Sequence, residues 1–223
     1  QECSQTMIKD TCFYDKPLEI GYSSSCDSDT MIVVENADCL MVARKLQNLG
    51  YNVAVLNMAS RQNPGGGVRD GAGAQEENLF RRTNLFQSLY QFAQYAKQYG
   101  LKLSNKQYPL DRDFGGIYTP NAIVFRGDED SGYPLLGDET FVMSFISVAG
   151  INRPELKDAT HLADSMIEGM KNKMRTILRI GLRHGHDSLV LGALGCGAFC
   201  NPPSHIAKLF HEVFEEPEFK NKY

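Results

Sequence analysis

The stretch ASRQNPGGGVRDGAGAQEENLFRR, residues 59–82, places three consecutive glycines seven residues before Gln75, Glu76 and Glu77. Each glycine costs about 0.5–1 kcal/mol relative to alanine in a regular element. Two adjacent carboxylates repel each other. This segment contains both features although each is unfavourable for folding. We therefore interpret it as part of a functional site, in which a carboxyl group can donate and accept a proton.

Glu76 and Glu77 fall in the first turn of a predicted helix, where neighbouring side chains point about 100° apart. The two carboxylates can therefore take two different roles. Acidic residues in a first turn also complement the helix dipole, and the pair alone does not distinguish these explanations. The helix N-terminus favours an ionised carboxylate, whereas burial, a second carboxylate and a bound diphosphate favour the protonated form, so the sequence leaves this pKa open.

A second glycine-rich stretch, LGALGCGAFCNPP, follows another buried apolar run. A glycine loop between a strand and a helix exposes backbone N–H groups to a phosphate, and the helix N-terminus adds partial positive charge. Two such loops in one domain favour a diphosphate ligand. Neither loop ends in Gly-Lys-Ser/Thr or fits the dinucleotide pattern Gly-x-Gly-x-x-Gly, so ATP hydrolysis and hydride transfer are disfavoured.

Strands and helices alternate in the predicted order of elements. Strands are predicted at 31–35, 51–57, 121–127, 140–150 and 188–193, and helices at 37–50, 74–99 with a break near Thr83, 158–185, and from Pro202 or Pro203 onward. The first 30 residues are polar and are predicted to be extended or loop. This alternation predicts one domain over residues 1–223, an α/β/α sandwich of three layers with a mixed, largely parallel sheet. Ligands of such sheets bind at the carboxyl ends of the strands, where both glycine loops fall.

Composition limits the classes of partner. The chain has 223 residues and a net charge of −4, which argues against a general binder of phosphate backbones. No apolar run approaches the length of a membrane span. The six cysteines show neither a Cys-x-x-Cys pair nor histidines at zinc-ligand spacing, so we expect reduced thiols in a cytoplasmic protein. We expect a monomer with no metal and no cofactor.

The motif NPGGG-x7-QEE resembles that of the bacterial-type poly(ADP-ribose) glycohydrolases, in which three glycines precede Gln-Glu-Glu by six to eight residues. LVLGALGCGAFCNPP resembles the diphosphate-binding loop of these enzymes, and FVMSFISVAGIN is similar to the strand before their long helix. The resemblance covers residues 35–215. It implies a macrodomain fold that holds ADP-ribose, and a substrate that is poly(ADP-ribose) or another ADP-ribosylated macromolecule, with ADP-ribose as product.

The resemblance also implies roles for individual residues. Glu77 is the catalytic acid and base, Glu76 holds the hydroxyls of the terminal ribose, and Gln75 orders the loop. Gly65, Gly66 and Gly67 approach the terminal ribose and the diphosphate. Gly195, Cys196, Gly197 and Ala198 offer N–H groups to the diphosphate, and Phe199 packs against the terminal ribose. Ser60 and Asn63 are candidates for hydrogen bonds to ribose.

Alternative hypotheses about the chemistry and the substrate remain open at this point. Cys196 lies in a glycine loop near a helix start, where a thiol pKa falls, but the sequence places no histidine to activate it as a nucleophile. The chain could bind ADP-ribose without cutting it, although the intact glutamate pair argues against this. It could also remove single ADP-ribose units from a protein or a nucleobase. Internal and terminal cleavage of the polymer are not distinguished.

Overall fold

A computed structural model describes residues 2–20 and 29–223, with side chains from Ser4 onward within those ranges. The helices are α1 (Glu2–Asp10), α2 (Cys39–Asn48), α3 (Gln75–Arg82), α4 (Leu85–Tyr90), α5 (Asp164–Arg183) and α6 (Pro203–Phe214). The strands are β1 (Cys12–Tyr14), β2 (Val53–Met58), β3 (Gly116–Val124), β4 (Phe141–Val148), β5 (Leu156–Asp158), β6 (His161–Leu162) and β7 (Ser188–Val190). Short 3-10 helices span Val68–Asp70, Ala96–Tyr99 and Gly137–Glu139.

The central sheet has the strand order β1-β3-β4-β2-β7. β2 pairs in parallel with β4 and β7, whereas β3 pairs antiparallel with β1 and β4. β5 and β6 form a separate two-stranded sheet. The central sheet is therefore mixed, as predicted, and its parallel pairings are those of β2, the strand that leads into the first glycine loop.

Helices cover both faces of this sheet. Along β2, Val53 and Val55 enter one core while Ala54 and Leu56 enter the other, because side chains alternate along a strand. Side chains of α1 to α4 fill the first core, on what we call the front face, and those of α5 and α6 fill the second, on the back face. The predicted three-layer α/β/α class is confirmed.

Local sequence signals set several helix boundaries. The Asp38 carboxylate accepts hydrogen bonds from the N–H groups of Leu40 and Met41, and α2 begins one residue later. The predicted break at Thr83 is confirmed, because its backbone is extended with φ of −135° and ψ of 166°. Its hydroxyl accepts a hydrogen bond from the Leu85 N–H, at the start of α4. Pro203 opens α6, since a first helical turn needs no N–H donor there.

The prediction that residues 1–30 are extended or loop is wrong for Glu2–Asp10, which form α1, whereas β1 is extended. β1 pairs with β3 at the edge of the sheet. The α1 sequence is mostly polar, but Met7 is buried in the front core and Gln91 donates a hydrogen bond to the Ile8 carbonyl. Tertiary packing therefore stabilises a helix that the local pattern does not predict. Cys26 and the side chain of Cys3 lie outside the described part of the chain.

The prediction of a strand at 31–35 is also wrong. This segment forms no regular element, and the side chains from Met31 to Val34 are 59–94% exposed. An apolar β-branched run becomes a strand only where a neighbouring strand and a core accept it. β1 and β7 occupy the two edges of the described sheet instead.

Among the described residues, no helix has both the length and the apolar character that a membrane crossing requires.

Candidate active site

Two glycine loops meet at the carboxyl edge of the parallel strands. β2 leads into residues 59–74, which we call the first glycine loop, and β7 leads into residues 191–202, the second glycine loop. The Ala59 N–H donates to the Val148 carbonyl at the end of β4, at 3.1 Å. A Cβ added to Gly192 would lie 3.1 Å from the Met58 methyl carbon, so the two loops depart from adjoining positions. The prediction that both glycine loops lie at one edge of the sheet is confirmed.

The first glycine loop folds closely over the start of α3. Gly65 and Gly66 have φ of 80° and 54°, which favour glycine over any residue with a Cβ. A Cβ on Gly65 would lie 2.5 Å from the Phe80 ring, and one on Gly66 would lie 2.3 Å from Glu77 Oε1. Both positions therefore need glycine for their backbone conformation and for their approach to α3.

Glu76 is fixed against the first glycine loop. Its side chain is 3% exposed. Oε1 accepts hydrogen bonds from the Gly65 N–H at 3.0 Å and from Asn57 Nδ2 at 3.4 Å, and Oε2 accepts one from the Ser60 N–H at 2.7 Å. The carboxyl group thus fastens Ser60 and Gly65, the two ends of the turn that leads into the three glycines, and Oε2 accepts only one hydrogen bond from the described residues.

Glu77 is held at one oxygen and free at the other. Oε1 accepts a hydrogen bond from the Gly67 N–H at 2.8 Å. Oε2 makes no hydrogen bond to the described residues, and it does not belong to the fully buried atoms that lack a partner, so it retains contact with solvent. This carboxyl group is therefore fixed in position and still able to meet a ligand.

Gln75 joins the end of β2 to the start of α3. Its Nε2 donates to the Leu56 carbonyl at 2.7 Å, and its Oε1 accepts from the Met58 N–H at 2.8 Å. The first glycine loop connects these same two elements. Gln75 thus sets the spacing from which the loop departs, which supports the ordering role implied by the resemblance.

The second glycine loop is braced by Asn201, which the sequence reasoning missed. Asn201 Nδ2 donates to the carbonyls of Ile151 and Gly195, at 2.7 and 2.9 Å. Gly195 has φ of 74°, and a Cβ there would lie 2.5 Å from Asn201 Nδ2. The amide thus joins this loop to the segment after β4, across the end of β2, which lies between β4 and β7 in the sheet.

Backbone donors are exposed in the second glycine loop. The N–H groups of Gly195, Gly197 and Ala198 make no hydrogen bond within the described residues, whereas the Cys196 N–H donates to the Ala193 carbonyl at 3.0 Å. Phe199 is half-buried, and its carbonyl accepts from the Arg153 N–H at 2.9 Å. Three of the four predicted diphosphate donors are thus free, and Cys196 is the one already engaged.

The thiol of Cys196 does not have the properties of a nucleophile. Burial raises its pKa, and the Sγ donates a weak hydrogen bond to the Leu194 carbonyl at 3.8 Å. A thiol with a raised pKa contains little thiolate, the reactive form. In the described part of the chain no cluster of three or more His, Cys, Asp or Glu side chains could hold a metal ion.

Buried polar atoms without partners collect at this edge of the sheet. Within the described residues they are Asn57 Oδ1, Arg61 Nε, the Tyr108 hydroxyl and Asn201 Oδ1. An unpaired buried polar atom costs about 1–3 kcal/mol, so a ligand or water that pairs with it is favoured. The sequence reasoning missed all four residues. Of these four, only Asn57 could have been identified from the sequence, because it is the one polar residue of the buried strand VAVLNM.

A cavity of about 420 Å³ opens beside the first glycine loop. Its lining residues are Asn63, Pro64, Gly66, Arg69, Asp70 and Tyr95. Asn63 was predicted to contact the ligand and does line this cavity. The Ser60 hydroxyl oxygen accepts hydrogen bonds from the N–H groups of Gln62 and Asn63, so it shapes the turn and keeps its own proton to donate.

The buried carboxyl of Glu76 makes the folding stability depend on pH. Burial raises the pKa of Glu76 from 4.5 to about 8, the hydrogen bonds from the Ser60 and Gly65 N–H groups oppose that rise, and the charge of Glu77 adds to it. Between those values the folded chain binds one proton more than the unfolded chain, so this group lowers the stability as the pH rises from about 4.5 to 8.

We therefore expect the Glu76→Gln variant to lose less stability between pH 5 and pH 8 than the wild type does. The difference should be on the order of a few kcal/mol, since each pKa unit corresponds to about 1.4 kcal/mol. Urea unfolding of both proteins at the two pH values measures it. An identical pH dependence would show that Glu76 is ionised in the folded protein. The variant also loses a hydrogen-bond acceptor, but this changes the free energy of unfolding equally at both pH values and therefore cancels in the comparison.

Comparison with known proteins places the chain in a family. The family model described as microbial-type PARG, catalytic domain, where PARG stands for poly(ADP-ribose) glycohydrolase, matches residues 1–127. Among solved structures, the poly(ADP-ribose) glycohydrolase of Thermomonospora curvata is similar with a TM-score of 0.78 and 31% identity, over 97% of this chain and 77% of that one. No curated protein shows a significant sequence match.

Two structures with bound ligands are also similar. The Thermomonospora curvata enzyme bound to the inhibitor ADP-HPD has a TM-score of 0.69 and 27% identity, over 96% of this chain and 78% of that one. The Deinococcus radiodurans poly(ADP-ribose) glycohydrolase in complex with ADP-ribose has a TM-score of 0.62 and 28% identity, over 83% of this chain and 71% of that one.

The α/β/α fold, with a carboxyl pair fixed against the first of two glycine loops at one edge of the sheet, defines a glycoside hydrolase of the macrodomain-like type. The family match makes this specific: the chain belongs to the microbial-type poly(ADP-ribose) glycohydrolases.

Proposed function

We propose that this protein hydrolyses the ribose–ribose O-glycosidic bonds of poly(ADP-ribose) and releases ADP-ribose, with Glu77 as the general acid and base. The observation that carries the assignment is the asymmetry of its carboxyl group, in which Oε1 is held by the Gly67 N–H and Oε2 is free. A general acid needs both a fixed position and an oxygen that can reach the substrate.

In this proposal the second glycine loop binds the diphosphate. Gly195, Gly197 and Ala198 supply free N–H groups, which suit phosphate oxygens. The terminal ribose then lies between the second and the first glycine loops, where Phe199 and the glycines at 65–67 contact it. The remaining position on Glu76 Oε2 forms a hydrogen bond with a ribose hydroxyl, while the other bonds of this carboxyl group keep the first glycine loop in place.

The reaction follows from this placement. Glu77 donates its proton to the departing ribose oxygen as the bond from that oxygen to the anomeric carbon breaks. The anomeric carbon passes through an oxocarbenium-like state, as in other glycoside hydrolysis. The Glu77 carboxylate then accepts a proton from water while the water oxygen bonds to the anomeric carbon. Glu77 returns to its protonated form, and the negative diphosphate helps to stabilise the cationic sugar.

Free thiols support the cytoplasmic location that we propose. Cys12, Cys39, Cys196 and Cys200 form no disulfide. Reduced thiols are usual in the cytoplasm. We also propose that the enzyme acts as a monomer, since both glycine loops and both glutamates come from one chain.

The test of the function compares three substrates: poly(ADP-ribose), a protein that carries single ADP-ribose units, and ADP-ribosylated DNA. We expect ADP-ribose to be released from the polymer with a kcat/KM well above that for the other two. If ADP-ribose is released only from a mono-modified substrate, that substrate, and not the polymer, is the one the enzyme cleaves. Calorimetric binding of ADP-ribose without release from any substrate would contradict the function.

A further inference from the structure

We propose that the cavity beside the first glycine loop binds the penultimate ADP-ribose unit of the polymer, the part that departs when the bond is cut, and that Arg69 is its main phosphate contact. This inference rests on the proposed function. It adds a site for the leaving group. The roles proposed above for the two glycine loops concern the terminal unit and assign no residue to the leaving group.

Residues around the cavity and residues of the second glycine loop pack against opposite faces of the central sheet. Val68 and Tyr95 pack against the front core, whereas Leu191 and Cys196 pack against the back core. The cavity is thus built on the front face of the sheet and the diphosphate donors on the back face. A chain whose terminal diphosphate lies on the second glycine loop and whose terminal ribose meets Glu77 must continue toward the front.

The catalytic carboxyl and the cavity lie against the same residue, Gly66. Gly66 lines the cavity, and its Cα lies so close to Glu77 that an added Cβ would be 2.3 Å from Oε1. The oxygen that accepts the proton from Glu77 belongs to the departing unit. That unit must therefore begin next to Gly66, at the wall that separates Glu77 from the cavity.

Arg69 offers a free positive charge inside this cavity. It is exposed and forms no ion pair with a carboxylate of the described residues. Its guanidinium lies 5.3 Å from the centre of the Tyr95 ring, a cation–π arrangement that holds the group in one place. A guanidinium beside Tyr95 suits a phosphate, because the N–H groups that do not face Tyr95 can donate two hydrogen bonds to phosphate oxygens.

The remaining walls suit the other parts of an adenosine diphosphate ribose. Tyr95 packs edge-on against Tyr90 and Tyr99, with ring centres 5.2 and 6.0 Å apart, so the aromatic wall is supported from behind. Tyr99 lies beside the cavity, next to Tyr95, and remains 41% exposed, so its ring can stack on a nucleobase that extends past Tyr95. Asn63 and Asp70 provide acceptors for ribose hydroxyls. The volume of about 420 Å³ lies within the usual range of about 300–1,000 Å³ for small-molecule sites.

The test measures binding of two defined ligands, ADP-ribose and the two-unit oligomer, in the Glu77→Gln background, which prevents cleavage. We expect the oligomer to bind about tenfold or more tightly than ADP-ribose, as one charge-assisted phosphate contact allows. Adding Arg69→Gln should remove this advantage and leave the affinity for ADP-ribose unchanged. In the otherwise wild-type enzyme, Arg69→Gln should lower kcat/KM for the polymer by a similar factor.

Lys97→Gln is the matched control, because Lys97 is an exposed cation two residues after the cavity residue Tyr95 and does not itself line the cavity. It should change neither affinity. If Arg69→Gln weakens the binding of both ligands equally, the cavity binds the terminal unit and the inference is wrong. If Arg69→Gln weakens the binding of neither ligand, Arg69 has no role in binding and the inference is also wrong. If the wild type releases no ADP-ribose from polymer, the proposed function fails instead.

Discussion

Replacing Glu77 with glutamine is expected to reduce ADP-ribose release from poly(ADP-ribose) by about 100- to 10,000-fold, the usual contribution of a general acid. Glutamine has nearly the same shape, so its amide oxygen can still accept the hydrogen bond that the Gly67 N–H makes to Oε1. The variant lacks the proton that the departing oxygen requires. Single-turnover release of ADP-ribose measures the effect.

The affinity of this variant for ADP-ribose is the control for an intact site. We expect it to change by less than about threefold, since the diphosphate donors lie on the other loop. The loss of the Glu77 charge should also lower the pKa of Glu76, because that charge contributes to its rise. Undiminished release of ADP-ribose would exclude Glu77 as the acid, whereas a large loss of affinity would show that Glu77 mainly binds the ligand.

Replacing Gly66 with alanine is expected to lower kcat about 100-fold or more. The new Cβ would lie 2.3 Å from Glu77 Oε1, so the carboxyl group must move away from the position in which the Gly67 N–H holds it. Displacement of a catalytic group by about 1 Å can cost about 100-fold in rate. The positive φ of 54° also destabilises the fold by about 1–2 kcal/mol when glycine is lost.

Gly71→Ala is the matched control for this substitution. Gly71 lies in the same loop with φ of 83°, and its added Cβ would meet no atom within 4 Å. Both variants should therefore lose a similar amount of stability in urea unfolding, but only Gly66→Ala should lose activity. A comparable loss of kcat in both variants would mean that general loosening of the loop, and not the position of Glu77, limits the rate.

The patterns of buried strands and glycine loops were readable from the sequence because they are local. β-Branched runs bounded by glycines indicated β2 and β7, and the first-turn position of Gln75, Glu76 and Glu77 followed from helix periodicity. The same reasoning failed where stability comes from distant contacts. α1 depends on Met7 in the front core, and the apolar run from Met31 to Val34 has no strand to pair with.

The sequence by itself determined the α/β/α class, the meeting of both glycine loops at one edge of the sheet, and the family. Only the tertiary structure gave the two glutamates their different environments, because hydrogen bonds from Ser60, Gly65 and Gly67 come from a loop whose path no local pattern fixes. It also brought Arg69 beside Tyr95, which is 26 positions away in the numbering of the chain. Periodicity reports which face a residue occupies, whereas the partner on that face depends on how separate elements pack.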